Sequence, residues 1–123
     1  MTRMWLLIAG LSGFIAVALG AFGFHNLRPD MTPEQYDNFA LGNMFHLVHS
    51  AALLGVSILV GQGRKLANLA GIAFVLGIFL FSGVLYTSWV LGPSIGMLAP
   101  FGGLSYMAGW ILIGVSSLQS GSD

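Results

Sequence analysis

The chain has 123 residues, enough for one domain, with 56% apolar residues, only 7% charged residues and a formal net charge of zero. Four basic and four acidic side chains cannot build a water-facing surface, and the zero balance points away from nucleic acid. The absence of cysteine excludes disulfides, thiolate metal sites and thiol nucleophiles.

Charges fall only in the gaps between four apolar runs: Met4 to about Phe24, about Phe39 to Val60, Leu66 to about Leu91, and about Gly96 to Leu118. Each run has the roughly 20 residues that a helix needs to cross a hydrocarbon core. The predicted fold is an all-α, integral membrane bundle of four transmembrane helices, with residues 1–123 as a single domain. Arg3, an apolar stretch and Ala18-Leu19-Gly20 have the outline of a secretory leader. The stretch is long for a leader, so it reads as a retained span.

The connection from His25 to Asn38 is the longest. Within it Thr32-Pro33-Glu34-Gln35 reads as a helix start, with Thr32 as N-cap, Pro33 at the first helical position and Gln35 completing a capping box. Glu34 and Asp37 then sit where the helix dipole favours acids. Gly61-Gln62-Gly63-Arg64-Lys65 and Gly92-Pro93-Ser94 are short connections, which make consecutive helices antiparallel neighbours. Arg3, Arg64 and Lys65 fall on one side of four alternating spans and Arg28 on the other, which places both termini in the cytoplasm. The tail from Gln119 to Asp123 is too short to be a domain.

Small residues recur every fourth position at Ser12, Ala16 and Gly20, at Ala67 and Gly71, and at Ser105 and Gly109. Such patterns support close helix crossings without saying which helices pair.

Four motifs carry a resemblance. Gly20-Ala21-Phe22-Gly23-Phe24-His25 closes the first span, and Phe45-His46-Leu47-Val48-His49 lies in the second. Leu80-Phe81-Ser82-Gly83-Val84-Leu85-Tyr86 lies in the third. Ala99-Pro100-Phe101-Gly102-Gly103 and Gly109-Trp110 mark the fourth. In this order and spacing the chain resembles, over essentially its whole length, the DUF423 family of small bacterial membrane proteins, related to transmembrane protein 256. The resemblance implies the topology and a bacterial inner-membrane location, and it supplies no chemistry. Phe24 departs from the pattern, where a small residue is expected.

Polar side chains inside spans are costly, so their placement is informative. With four alternating spans, His25, Asn43, His46, His49, Ser82, Tyr86 and Tyr106 all fall toward the outward-facing half. Ser12, Ser57, Ser116 and Ser117 are left to the inner half. Asn43, His46 and Ser50 form one helical stripe. His46 and His49 are near neighbours at i, i+3, and Ser82 and Tyr86 share a face at i, i+4.

Three readings of this cluster stand side by side. It holds helices in register through hydrogen bonds. It lines a pocket for a lipid head group, a quinone-like ring or a small polar molecule, or meets a partner subunit. Or His25, His46 and His49 hold a transition metal or a haem. Proton-linked transport lacks the intramembrane acids that it usually needs.

No nucleophile elbow surrounds Ser82, and Gly102-Gly103 reads as a kinked helix start rather than a phosphate loop. The functional expectation is a non-enzymatic membrane protein without a cofactor. It acts through contacts with membrane lipid, a partner membrane protein, a second copy or a lipid- or quinone-like ligand. The alternative is a histidine-based metal or haem protein.

Overall fold

A computed structural model describes residues 1–120. The last three residues of the C-terminal tail lie outside the described residues. Among the described residues, four helices are long and apolar enough to cross a membrane: Thr2–Asp30, Pro33–Gly61, Leu66–Leu91 and Pro93–Ser116. They are called the first to fourth helices below. In hydrocarbon each backbone N–H and C=O needs an internal partner, and a continuous helix supplies one.

The second helix starts at the predicted box. Thr32 Oγ1 accepts from the Gln35 N–H at 3.1 Å, and Gln35 Oε1 accepts from the Thr32 N–H at 2.9 Å. The fourth begins at Pro93, ahead of its apolar run. Gly92 takes the positive φ of 101° that turns the chain, and Pro93 fixes the first helical φ. Two helices carry wide π turns. Gly23–Leu27 ends the α-helical part of the first, and Ile78–Gly83 interrupts the third.

The connection between the second and third helices meets the start of the C-terminal tail at the end that carries the termini. Arg64 Nη1 donates to the carbonyls of Ser116 and Gln119 at 2.8 and 3.0 Å, capping the fourth helix. Gln119 Oε1 accepts from the Leu66 N–H at 2.9 Å, capping the third. Arg64 thus has a structural duty besides its weight in the charge count.

Two of the three small-residue faces resolve into helix pairs, and the third, at Gly71, meets the Trp5 ring of the first helix. The first helix packs on the second: Gly13 faces the Ser50 side chain, and a Cβ on Gly20 would sit 2.7 Å from Asn43 Oδ1. The third packs on the fourth: a Cβ on Gly109 would meet the Phe74 ring, and Ser105 Oγ donates to the Ala73 carbonyl at 2.7 Å. Between the pairs lies a core of Trp5, Leu53, Val56, Ala70, Phe74 and Tyr106. The remaining faces are apolar and uncovered, with Leu7, Phe14 and Phe79 each at least 70% exposed. That surface is suited to lipid and not to water.

Candidate functional site

The second helix, packed on the first, also faces the third and fourth, and it carries two of the three candidate histidines, His46 and His49. Each faces a different neighbour.

His46 is buried about halfway along the second helix. Its Nδ1 is 2.8 Å from the Tyr86 hydroxyl of the third helix, and its Nε2 is 3.0 Å from Ser12 Oγ of the first. Ser12 Oγ is 2.6 Å from Ser50 Oγ, and Ser50 Oγ donates back to the His46 carbonyl at 2.8 Å. The Asn43 amide donates to the Ala16 carbonyl at 2.6 Å and to the Tyr86 oxygen at 3.0 Å.

Donor counting fixes every direction, because a hydroxyl has one hydrogen. Ser50 spends its hydrogen on the carbonyl, so Ser12 donates to Ser50. Ser12 must then accept from His46, which puts the imidazole proton on Nε2. Nδ1 is left as an acceptor, and Tyr86 donates to it. The chain links three helices, with each partner supplied by the next.

His49 is also buried but is held differently. Its Nδ1 is 2.7 Å from the Phe45 carbonyl, and its Nε2 is 2.9 Å from the Trp110 indole N–H. A carbonyl only accepts and an indole only donates, so the ring is neutral with its proton on Nδ1. The Tyr106 ring stacks on it at 3.7 Å between centroids and 13° between planes. Phe45, Phe74 and Trp110 surround the pair at 5.3 to 6.0 Å between centroids. Gly77 makes room for Tyr106, whose ring a Cβ there would meet. Ser82 is fully buried, with its hydroxyl 2.8 Å from that of Tyr106.

The seven expected residues therefore divide. Asn43, His46 and Tyr86 form one group, and His49, Ser82 and Tyr106 form another. His25 joins neither. It is exposed at the far end of the first helix, edge-on to Phe24 at 5.1 Å. Phe24, the departure from the family pattern, is likewise exposed and leaves the helix packing undisturbed.

The shared face expected of Ser82 and Tyr86 does not form. The π turn at Ile78–Gly83 rotates the register, so Ser82 meets the fourth helix and Tyr86 the second. Ser12 lies at the depth of His46 and not apart in the other half, because the second helix begins well before its apolar run. Among the described residues, no three His, Cys, Asp or Glu side chains come together. The one acceptor nitrogen of each buried imidazole is already taken, by Tyr86 or by Trp110. Sequence reasoning passed over Ser12, Ser50 and Trp110 as site members. An indole N–H at membrane depth was the available signal, since it must find an acceptor.

Beside His46 the first and third helices part. They meet at Trp5, whose Nε1 donates to Asn68 Oδ1 at 2.8 Å and whose ring fills the space over Gly71. Beyond that contact a cavity of about 220 Å³ is lined by Ile8, Leu11, Ser12, Ile15 and His46 against Val75, Ile78 and Phe79. Further along, about 450 Å³ is lined by Leu19, Phe22 and Phe39 against Gly83, Tyr86 and Val90, among others. The lining positions recur at helical spacing on both walls, so the two cavities belong to one seam. Its floor carries the His46–Tyr86 bond, and the π turn forms part of its wall.

Fold, exposed apolar faces and buried polar floor together define an integral membrane protein built as a four-helix bundle. The chain belongs to the DUF423 family, described as proteins of unknown function, which matches residues 19–103. It is 32% identical to a UPF0382 membrane protein of Haemophilus influenzae over 99% of both chains. It is 34% identical to the UPF0382 inner membrane protein YgdD of Escherichia coli K12, over 96% of this chain and 92% of that one. The UPF0382 membrane protein YwdK of Bacillus subtilis is 31% identical, over 95% and 98%. No solved structure matches the chain.

Proposed function

We propose that this protein is a non-enzymatic component of the bacterial inner membrane that holds a lipid-like ligand in the seam between its first and third helices. The observation that carries the reading is the seam itself: an apolar cleft at membrane depth whose floor is a hydrogen-bonded histidine–tyrosine pair. Apolar walls around a few convergent polar groups are the usual make-up of a small-molecule site.

A flexible chain suits this cleft better than a partner helix does. A helix is about 10 Å across and packs closely on small residues. The inner walls here carry Ile8, Leu11, Ile15 and Phe79 instead. Both termini are assigned to the cytoplasm on the weight of Arg3, Arg64 and Lys65. A periplasm-active reporter fused to the C-terminus is expected to be silent.

The test is retention. Purified in mild detergent, the protein is expected to carry one lipid-like species in excess over its share of the membrane, read by mass spectrometry of the extract. Ile15→Trp with Val75→Trp, which narrows the inner cavity, is expected to release it. A partner protein retained in place of a lipid, and lost in the same double variant, would overturn the reading.

A further inference from the structure

We infer that the seam selects a ligand whose polar group is a hydroxyl, a hydrogen-bond donor, over one that offers only acceptor oxygens. This rests on the seam as the binding site and adds the chemistry of its floor. Each donor hydrogen of the His46 chain is already committed. Asn43 spends its two on the Ala16 carbonyl and Tyr86, and Tyr86 spends its one on His46 Nδ1. His46 Nε2–H goes to Ser12, Ser12 to Ser50, and Ser50 to the His46 carbonyl.

Acceptor capacity remains. A hydroxyl oxygen accepts twice, and Ser12 Oγ, on the wall of the inner cavity, accepts only from His46 within the described chain. A ligand hydroxyl can therefore donate to Ser12 without breaking any bond. A ligand with an ether or carbonyl oxygen alone must first take the Nε2–H of His46 from Ser12, at a depth where no water replaces what is lost. The favoured class is a long-chain alcohol, or a quinol ring in preference to its quinone.

The experiment uses the full-length protein in phosphatidylcholine nanodiscs with tritiated hexadecanol as the bound probe. Unlabelled hexadecanol and hexadecyl methyl ether compete at matched mole fraction in the bilayer. The ether keeps the chain and the acceptor and loses the donor. Hexadecanol is expected to displace the probe about three- to tenfold more effectively, the range for one hydrogen bond at membrane depth. In Ser12→Ala the receiving oxygen is gone and His46 Nε2–H can donate to an alcohol or an ether oxygen alike, so the preference is expected to fall to about one.

Equal or better displacement by the ether in the unmodified protein would overturn the donor preference and leave the seam standing. No displaceable hexadecanol binding would overturn both. An unchanged preference in Ser12→Ala would contradict Ser12 as the receiving atom.

Discussion

The two sides of the second helix hold the same residue type, three positions apart, in opposite ways. His46 belongs to a polar chain that crosses three helices and borders an open seam. His49 is stacked on Tyr106, tied to Phe45 and Trp110, and packed among rings. Positions i and i+3 are neighbours on a helix surface, yet they differ by about 60° around the axis. In a bundle of four that rotation is enough to address different partners. Sequence proximity of two histidines is therefore poor grounds for a shared site.

The comparison can be broken most forcefully from the His49 side. Gly77→Val places a side chain in the Tyr106 ring, and overpacking of this kind costs about 1–3 kcal/mol or more. Gly10→Val, with nothing within 4 Å, is expected to melt like the parent. Thermal melts in one detergent check the pair.

The three histidines provide a graded series. His49→Ala empties the centre of the aromatic stack and leaves the Trp110 N–H unpaired, so about 2–4 kcal/mol is expected. His46→Ala is expected to cost less, about 1–3 kcal/mol, because the adjoining seam lets lipid fill the space. His25→Ala, at an exposed position, should fall within about 0.5 kcal/mol of the parent. Equal melting points for His46→Ala and His25→Ala would contradict the inward-facing polar stripe.

A smaller effect than that of either buried histidine sharpens the His46 side. Tyr86→Phe removes one donor and leaves the ring packed against Phe39 at 5.0 Å between centroids. About 0.6 kcal/mol is expected, the mean for a hydrogen bond between membrane helices. The same change should alter retention of the seam ligand more than Trp110→Phe does, measured by mass spectrometry of extracted lipid. The reverse order would move the site to the other side of the helix.

Much of the fold was legible, because charge exclusion from lipid marks the spans directly. The Thr32–Gln35 capping box and the Asn43–His46–Ser50 stripe also followed from spacing alone. The π turn at Ile78–Gly83 was not legible, since nothing in Ile-Phe-Leu-Phe-Ser-Gly announces a widened turn, and it is what separates Ser82 from Tyr86. Ser12 read as a small packing residue. Its place in the site depends on how far the second helix extends before its apolar run, which sets the depth of His46.

The proposed function requires that the His46 side of the molecule receives a ligand and the His49 side does not. A fatty alcohol with a photoreactive diazirine in its tail, irradiated with the protein in nanodiscs and followed by peptide mapping, tests it directly. Labelling concentrated on Ile8 to Ile15 and on Val75 to Phe79 is the predicted result. Labelling spread equally over the exposed apolar face of the fourth helix, at Phe101, Leu104 and Ile111, would contradict it.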